Sequence, residues 1–446
     1  MLKILFLLVF LFLLIKGDNI NINLDDNTVL SSGTGFTFEN DIITITSAGT
    51  YTFTGSSVKK SIIISSTSVI INFIGVSISG GERSPLRISE NCGVTLNLKE
   101  QNFLIHTSEN ENSGVIYMES GSNLIISSEE NEENEENEIQ ILCLKPNKGI
   151  GIYGKESTNL IINNNIAIQI IPSSSYHNGG IYIGNDVIIN EGEIYDGISF
   201  INERNPSIKA GGSITIKKGS FDLLSIQAEK SIILGEKGMN NDELEFSIKT
   251  QNEGIKAKKI EIYSCQMEIF SIKESLISNG DIIINNAFLK IYAGSYNVIS
   301  SPIKYGGKLE IDEVYMMVCG KNCLGVSEII TNKQSYSMFG KYITNENPVN
   351  AKEGINSGEE ANEQNTFSCF FTYPNENIEI EKYVNLEKFE SYENSKCPTD
   401  STNNANENKN DSNENNNNNG VSDSFENSEF RKISYLLIFI CLMLIK

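Results

Sequence analysis

The feature that most constrains this chain is a recurrence in its apolar residues. Residues 254–269 (GIKAKKIEIYSCQMEI) and 276–291 (LISNGDIIINNAFLKI) align at a shift of 22. Ile255 then matches Ile277, Ile260 matches Ile282, Ile262 matches Ile284, Met267 matches Leu289 and Ile269 matches Ile291. Apolar residues at relative positions 0, 2, 7 and 9 recur at Ile214, Ile216, Phe221 and Leu223. Parts of the pattern return at starts 187, 214, 232, 260, 282 and 309, separated by 27, 18, 28, 22 and 27 residues. Alternation at period 2 is a strand with one buried side, and Gly, Asn and Ser between the alternating stretches are turn residues. A repeat of this length built from short strands stacks coil upon coil. The pattern therefore predicts an all-β chain: a single-stranded right-handed parallel β-helix, a solenoid with capped ends.

The ends of the sequence read as addresses. Residues 1–17 place Lys3 ahead of an apolar run from Ile4 to Ile15. As a helix that run rises about 18 Å, too short for a bilayer core of about 30 Å, and it reads as a signal peptide. Residues 401–430 are nearly all Asn, Asp, Glu and Ser and read as a disordered stalk. Residues 431–446 open on Arg431 and Lys432 and continue as an apolar run, a hydrophobic C-terminal anchor signal. Gly420 is the candidate attachment residue, with a polar spacer after it, as in a lipid-anchor (GPI) signal. A short transmembrane tail helix is the other reading. Both put the protein on the extracellular face of the plasma membrane, reached by the secretory pathway. Between the ends, residues 18–318 are expected to form the helix and 319–400 a disulfide-containing C-terminal cap. Asp41–Gly55 is the expected first coil.

Charge and scarce residue types narrow the function. The chain carries 35 Lys+Arg against 57 Asp+Glu, a net charge of −22, so a nucleic-acid partner is excluded on electrostatic grounds. The ends contribute +2, −5 and +3, which cancel, so the acidity belongs to residues 18–400. The run Glu129–Glu138 reads as a solvated acidic loop. There are 2 His and no Trp. β-Helix polysaccharide hydrolases need paired carboxylates with His and basic helpers, and lyases need a calcium cluster beside a basic residue. Asp25-Asp26 precedes the repeats, His106 and His177 stand in other contexts, and Arg83 and Arg87 read as surface ion-pairing residues. The chain is accordingly read as not an enzyme. With Cys441 in the tail, seven cysteines remain, and the disulfide candidates are Cys319 with Cys323 and Cys369 with Cys397.

A binding role is the reading these residues favour. Aromatic rings give sugars a flat apolar area with a polar rim. Tyr182, Tyr195, Tyr263 and Tyr292 lie on or beside coil strands, and alternation predicts that Tyr195 and Tyr263 point outward. A structural surface-coat protein without glycan binding is the alternative, and a β-helix lyase or hydrolase a weaker one.

Three stretches carry a family resemblance. ITITSAGTYTFTG followed by SIIISSTSVIINFIGVSIS spans Ile43–Ser79, GVTLNLKEQNFL spans Gly93–Leu104, and SIKAGGSITI with EGIKAKKIEI begin at Ser207 and Glu253. Over residues 41–315 the chain resembles the secreted, bacterial-type carbohydrate-binding domains of right-handed parallel β-helix fold. That resemblance implies non-catalytic binding of a polysaccharide, with calcium held at turn carboxylates. The positions here that match those turns are Asp196, Glu253, Asn279 and Asp281. Their other reading is as turn residues that satisfy backbone N–H groups.

Overall fold

A computed structural model describes residues 19–25, 30, 32–110, 113–128, 139–172, 179–197, 206–250, 252–271, 273–300, 307–326, 328–331, 335–341, 367–372 and 376–378. These belong to the first of two units, Met1–Thr399; the second is Asp400–Lys446. The described residues form strands and turns, with no helix among them.

The pairing is parallel through the middle of the chain and skips neighbours in sequence. Gly114–Met118 pairs with Leu86–Ile88 on one side and Ile150–Glu156 on the other. Asn123–Ser128 pairs with Gly93–Lys99 and Asn159–Ile162. Gln140–Pro146 pairs with Gln101–His106 and Ile166–Ile170. Each strand thus bonds to those three before and three after it, so three sheet surfaces grow side by side.

Alternation on those strands builds the core. Ile62, Leu86, Ile116, Ile152, Ile181, Ile208 and Ile226 fall in one register column and are fully buried. Val187, Ile214, Ile232, Ile260, Ile282 and Leu309 form a second column, so the six starts of the sequence repeat are one line of side chains. Burying each contributes about 1.5–3 kcal/mol. Between strands the backbone turns through left-handed positions held by Ser68, Asn91, Ser157 and Asn165, and the long strands Lys259–Ser271 and Ile282–Ser300 bend at left-handed Ser264 and Asn286. Asn tolerates that region best, and Ser is short enough to enter it.

The register corrects one alignment. Ile255 pairs with Leu276, not Ile277, while the other four matches hold their shift. One residue fewer lies in the turn between Ile255 and Ile260 than in that between Leu276 and Ile282, and a one-residue slip would have turned Ile255 to the other face.

The stack also begins earlier and ends later than its repeat suggested. Asn19–Asn23 already pairs in parallel with Gly49–Ser57, ahead of Asp41. Parallel pairing continues beyond residue 318, where Tyr315–Gly325 pairs with Ser335–Lys341. Antiparallel strands then follow: Phe367–Thr372 on Ser335–Lys341, and Glu376–Ile378 on Glu328–Thr331. Cys319 and Cys323 lie on the single strand Tyr315–Gly325. Four extended residues separate Cα atoms by about 13 Å, beyond the roughly 4.4–6.8 Å of a disulfide, so that pairing does not fit an extended strand. Cys369 lies in Phe367–Thr372; Cys397 and Gly420 fall outside the described residues.

Candidate functional site

Three short sequences place tyrosines on one outer surface. Val115-Ile116-Tyr117, Gly151-Ile152-Tyr153 and Gly180-Ile181-Tyr182 each put Ile inward and Tyr outward. The register sets Tyr117, Tyr153 and Tyr182 on successive rungs, with Arg87 on the rung before and Lys209 on the rung after. Rungs of a sheet lie about 4.8 Å apart, so the three tyrosines follow one another up this surface. The Tyr117 and Tyr153 centroids are 5.5 Å apart at 45°. Gly114 makes this possible, because a Cβ there would lie 2.8 Å from the Cβ of Tyr153.

Cations frame the rings. The Arg87 guanidinium lies 5.4 Å from the Tyr117 centroid and the Lys155 ammonium 5.5 Å from it. Lys209 lies 5.7 Å from the centroid of Tyr182. Glu119 joins two of them: Lys155 Nζ donates to it at 2.6 Å, and Arg87 donates to its other oxygen. Burial pushes the Glu119 carboxyl upward, but the hydrogen bonds from Lys155 and Arg87 outweigh it and hold the group below its ordinary value. The same Glu119 bond holds Lys155 above its ordinary value. Burial, then the nearby Asp196 charge, raises the Tyr182 hydroxyl, which has no hydrogen-bond partner among the described residues. The arrangement offers two half-buried rings 5.5 Å apart, with cations over the rings of Tyr117 and Tyr182 and one ionised acceptor.

The sequence-derived candidates are only partly assembled. Tyr182 is the third ring of the ladder. Tyr195 is half-buried on Gly192–Asp196, a strand of another sheet. Ser264 takes a left-handed φ of 45°, and Tyr263 before it is covered, at 5% exposure. The Tyr263 hydroxyl donates to Glu261 at 2.9 Å, and Lys237 lies 5.0 Å from its ring. Together with Asn285, Asn286, Glu310 and Asp312 it lines a cavity of about 390 Å³. Tyr292 pairs with Phe270 and Cys319, and its side chain is outside the described set.

The calcium-turn candidates do not converge. Asp196 is 6% exposed at the end of its strand. Glu253 pairs with Lys256 at 3.5 Å, and Asp281 Oδ1 accepts the Lys308 amide at 3.0 Å. Asn279 is exposed in the turn after Leu276–Ser278. No group of three His, Cys, Asp or Glu able to hold a metal ion occurs among the described residues. Asp281 thus satisfies a backbone N–H group, whereas Glu253 engages a lysine side chain.

Comparison with family models matches residues 39–298 to the family described as carbohydrate-binding domain-containing protein. The chain belongs to that family. The match includes all three rungs of the tyrosine ladder. No curated protein and no solved structure matches the chain. Tyr117 and Tyr153 are not among the sequence-derived candidates. The thrice-repeated Ile-Tyr pair, with Val or Gly before it, is the signal that finds them.

Proposed function

We propose that this protein is a secreted, non-catalytic glycan-binding rod, a right-handed parallel β-helix that presents its tyrosine ladder to a polysaccharide. The carrying observation is the placement of Tyr117, Tyr153 and Tyr182 on adjacent rungs, the first two with their rings in contact. Ring faces receive the apolar faces of successive sugars, while Arg87, Lys155, Lys209 and Glu119 meet their hydroxyls or acid groups. Family membership supports the ligand class. The handedness follows from the rule that parallel crossovers are right-handed. Glu119 supports binding without turnover, because a carboxylate clamped by two cations is a poor general acid. Residues 1–17 serve secretion, and residues 401–446, as stalk and anchor signal, hold the rod at the outer face of the plasma membrane.

A glycan array with and without EDTA, run on wild type and on Tyr117→Ala/Tyr153→Ala, tests the reading. The variant should bind about tenfold or more weakly at unchanged melting temperature. Retention of no glycan by the wild type would leave the structural-coat alternative in its place. Release of reducing ends from a bound polysaccharide would overturn the non-catalytic part.

A further inference from the structure

A second outer surface differs from the tyrosine ladder in every respect. It is the outward side of the sheet that contains Gly93–Lys99, Asn123–Ser128 and Asn159–Ile162. Its central column runs through Ile70, Thr95, Ile125, Ile161, Ile188 and Thr215, and on to Ile233. All are at least partly exposed, Ile70 at 39%. A net charge of −22 leaves this column without a charged residue from Thr50 to Ile233.

Amide ladders border the column. Asn97 Nδ2 donates to Asn72 Oδ1 at 3.0 Å, and Asn72 Nδ2 donates to Thr52 at 3.3 Å. Farther along, Asn190 donates to Asn163 at 2.8 Å. On the other side Asn159 donates to Asn123 at 2.7 Å, and Asn185 donates to Asn159 at 2.8 Å. Two charges enter these borders, both at the far end and both engaged. Asp186 accepts the Ser213 amide at 2.8 Å, and Lys217 lies 3.1 Å from Glu236.

The chemistry of the border selects the occupant. An amide has two N–H donors and two acceptor lone pairs, and Asn72 uses one of each within its ladder. The donor and acceptor left over match a hydroxyl, which both gives and takes a hydrogen bond. The column supplies flat apolar area, repeated at about 4.8 Å, close to the length of one sugar unit. Six rung steps by four residue steps give roughly 380 Å², about half of the roughly 800 Å² per partner that a stable protein pair buries. Charge neutrality disfavours a polyanion, and the area disfavours a second copy.

We propose that this face docks an extended, uncharged polysaccharide. Sugar ring faces lie on the Ile/Thr column and hydroxyls engage the bordering Asn amides. The proposal rests on the glycan-binding reading but uses a sheet separate from the tyrosines, so the rod holds two glycan chains on different sides.

Depletion of the full chain by microcrystalline cellulose, with soluble carboxymethyl cellulose as a charged form of the same backbone, tests it. Wild type should be depleted by cellulose equally at low salt and 1 M salt, since no charge pair is involved (about one decade of salt being decisive). Ile125→Asp/Ile161→Asp should bind about tenfold more weakly. Ile125→Thr/Ile161→Thr keeps β-branched residues, guards against misfolding, and should weaken binding in the same direction. Tyr117→Ala/Tyr153→Ala should still bind cellulose. The assignment fails if the wild type is not depleted, if both isoleucine variants bind as wild type, or if the tyrosine variant alone loses binding. In that last case the tyrosine-ladder reading stands. A dimer in sedimentation that the isoleucine variants abolish would also overturn it, in favour of a second copy.

Discussion

His106 shows what a single buried residue does in this architecture. It is 1% exposed, with Nε2 3.2 Å from the Glu82 carbonyl and Nδ1 3.4 Å from the Ser113 hydroxyl. Burial lowers its pKa, and the Glu82 hydrogen bond only partly offsets this. A lowered histidine is neutral in the fold and binds its proton more readily when unfolded. Its stabilising contribution is complete above the unfolded value of about 6.5 and declines as pH falls below it. Urea unfolding at pH 8 and pH 5.5 should show lower stability at pH 5.5, and His106→Gln should reduce that difference. Glu109 and Glu119 are also held below their ordinary values, but they lose their contribution only as pH falls from about 4.5, so the two effects separate. Tyr263 carries the complementary lesson. Alternation gave its direction but not its exposure: the ring is covered by Lys237 and its hydroxyl is bonded to Glu261, leaving it 5% exposed.

At the scale of the strand, the side-chain ladders matter as much as the backbone ones. Asn159 donates to Asn123 and accepts from both Asn185 and the Asp186 amide. Asn159→Ala removes three hydrogen bonds, one from each of three partners. Chemical denaturation should register a loss of about 1–3 kcal/mol, while Asn97→Ala, which donates one bond to Asn72, should cost about 1 kcal/mol. Equal costs would mean that the ladder does not act as a unit. Much of this was legible beforehand. Val187, Ile214, Ile232, Ile260, Ile282 and Leu309 were recognisable as equivalent, because a buried stack tolerates only apolar residues at period 2. Turns of variable length hid the rest: Ile255 was matched one residue away from its partner Leu276.

For the described stack as a whole, stability is a sum of neighbouring contacts. Ile181 is fully buried with Ile152 on the rung before it and Ile208 on the rung after. Ile181→Ala should cost about 2–5 kcal/mol and broaden or split the unfolding transition, because it weakens coupling to both sides. Ile22→Ala, on the first paired strand, touches one neighbouring rung and should leave the transition single. Calorimetry on the two variants distinguishes them. The acidic character of the chain, a net charge of −22, acts at this scale as well, since it makes the neutral Ile/Asn face and the cation-framed tyrosines exceptions to their surroundings.

By itself the sequence determined the strand content, the inward columns and the repeat, because each depends on local alternation that the core then enforces. It also held the family resemblance that the match over residues 39–298 supports. Only the tertiary structure decided which residues share a surface. Tyr117, Tyr153 and Tyr182 are separated by 36 and 29 positions in the chain, yet they lie one rung apart because each intervening segment returns the chain to the same parallel sheet. The same pairing left Asp196 at a strand end, with Glu253 and Asp281 in separate turns, and lined up the isoleucines of an uncharged face. Lateral neighbours in a stack are set by where each turn ends, and turn length is what alternation does not encode.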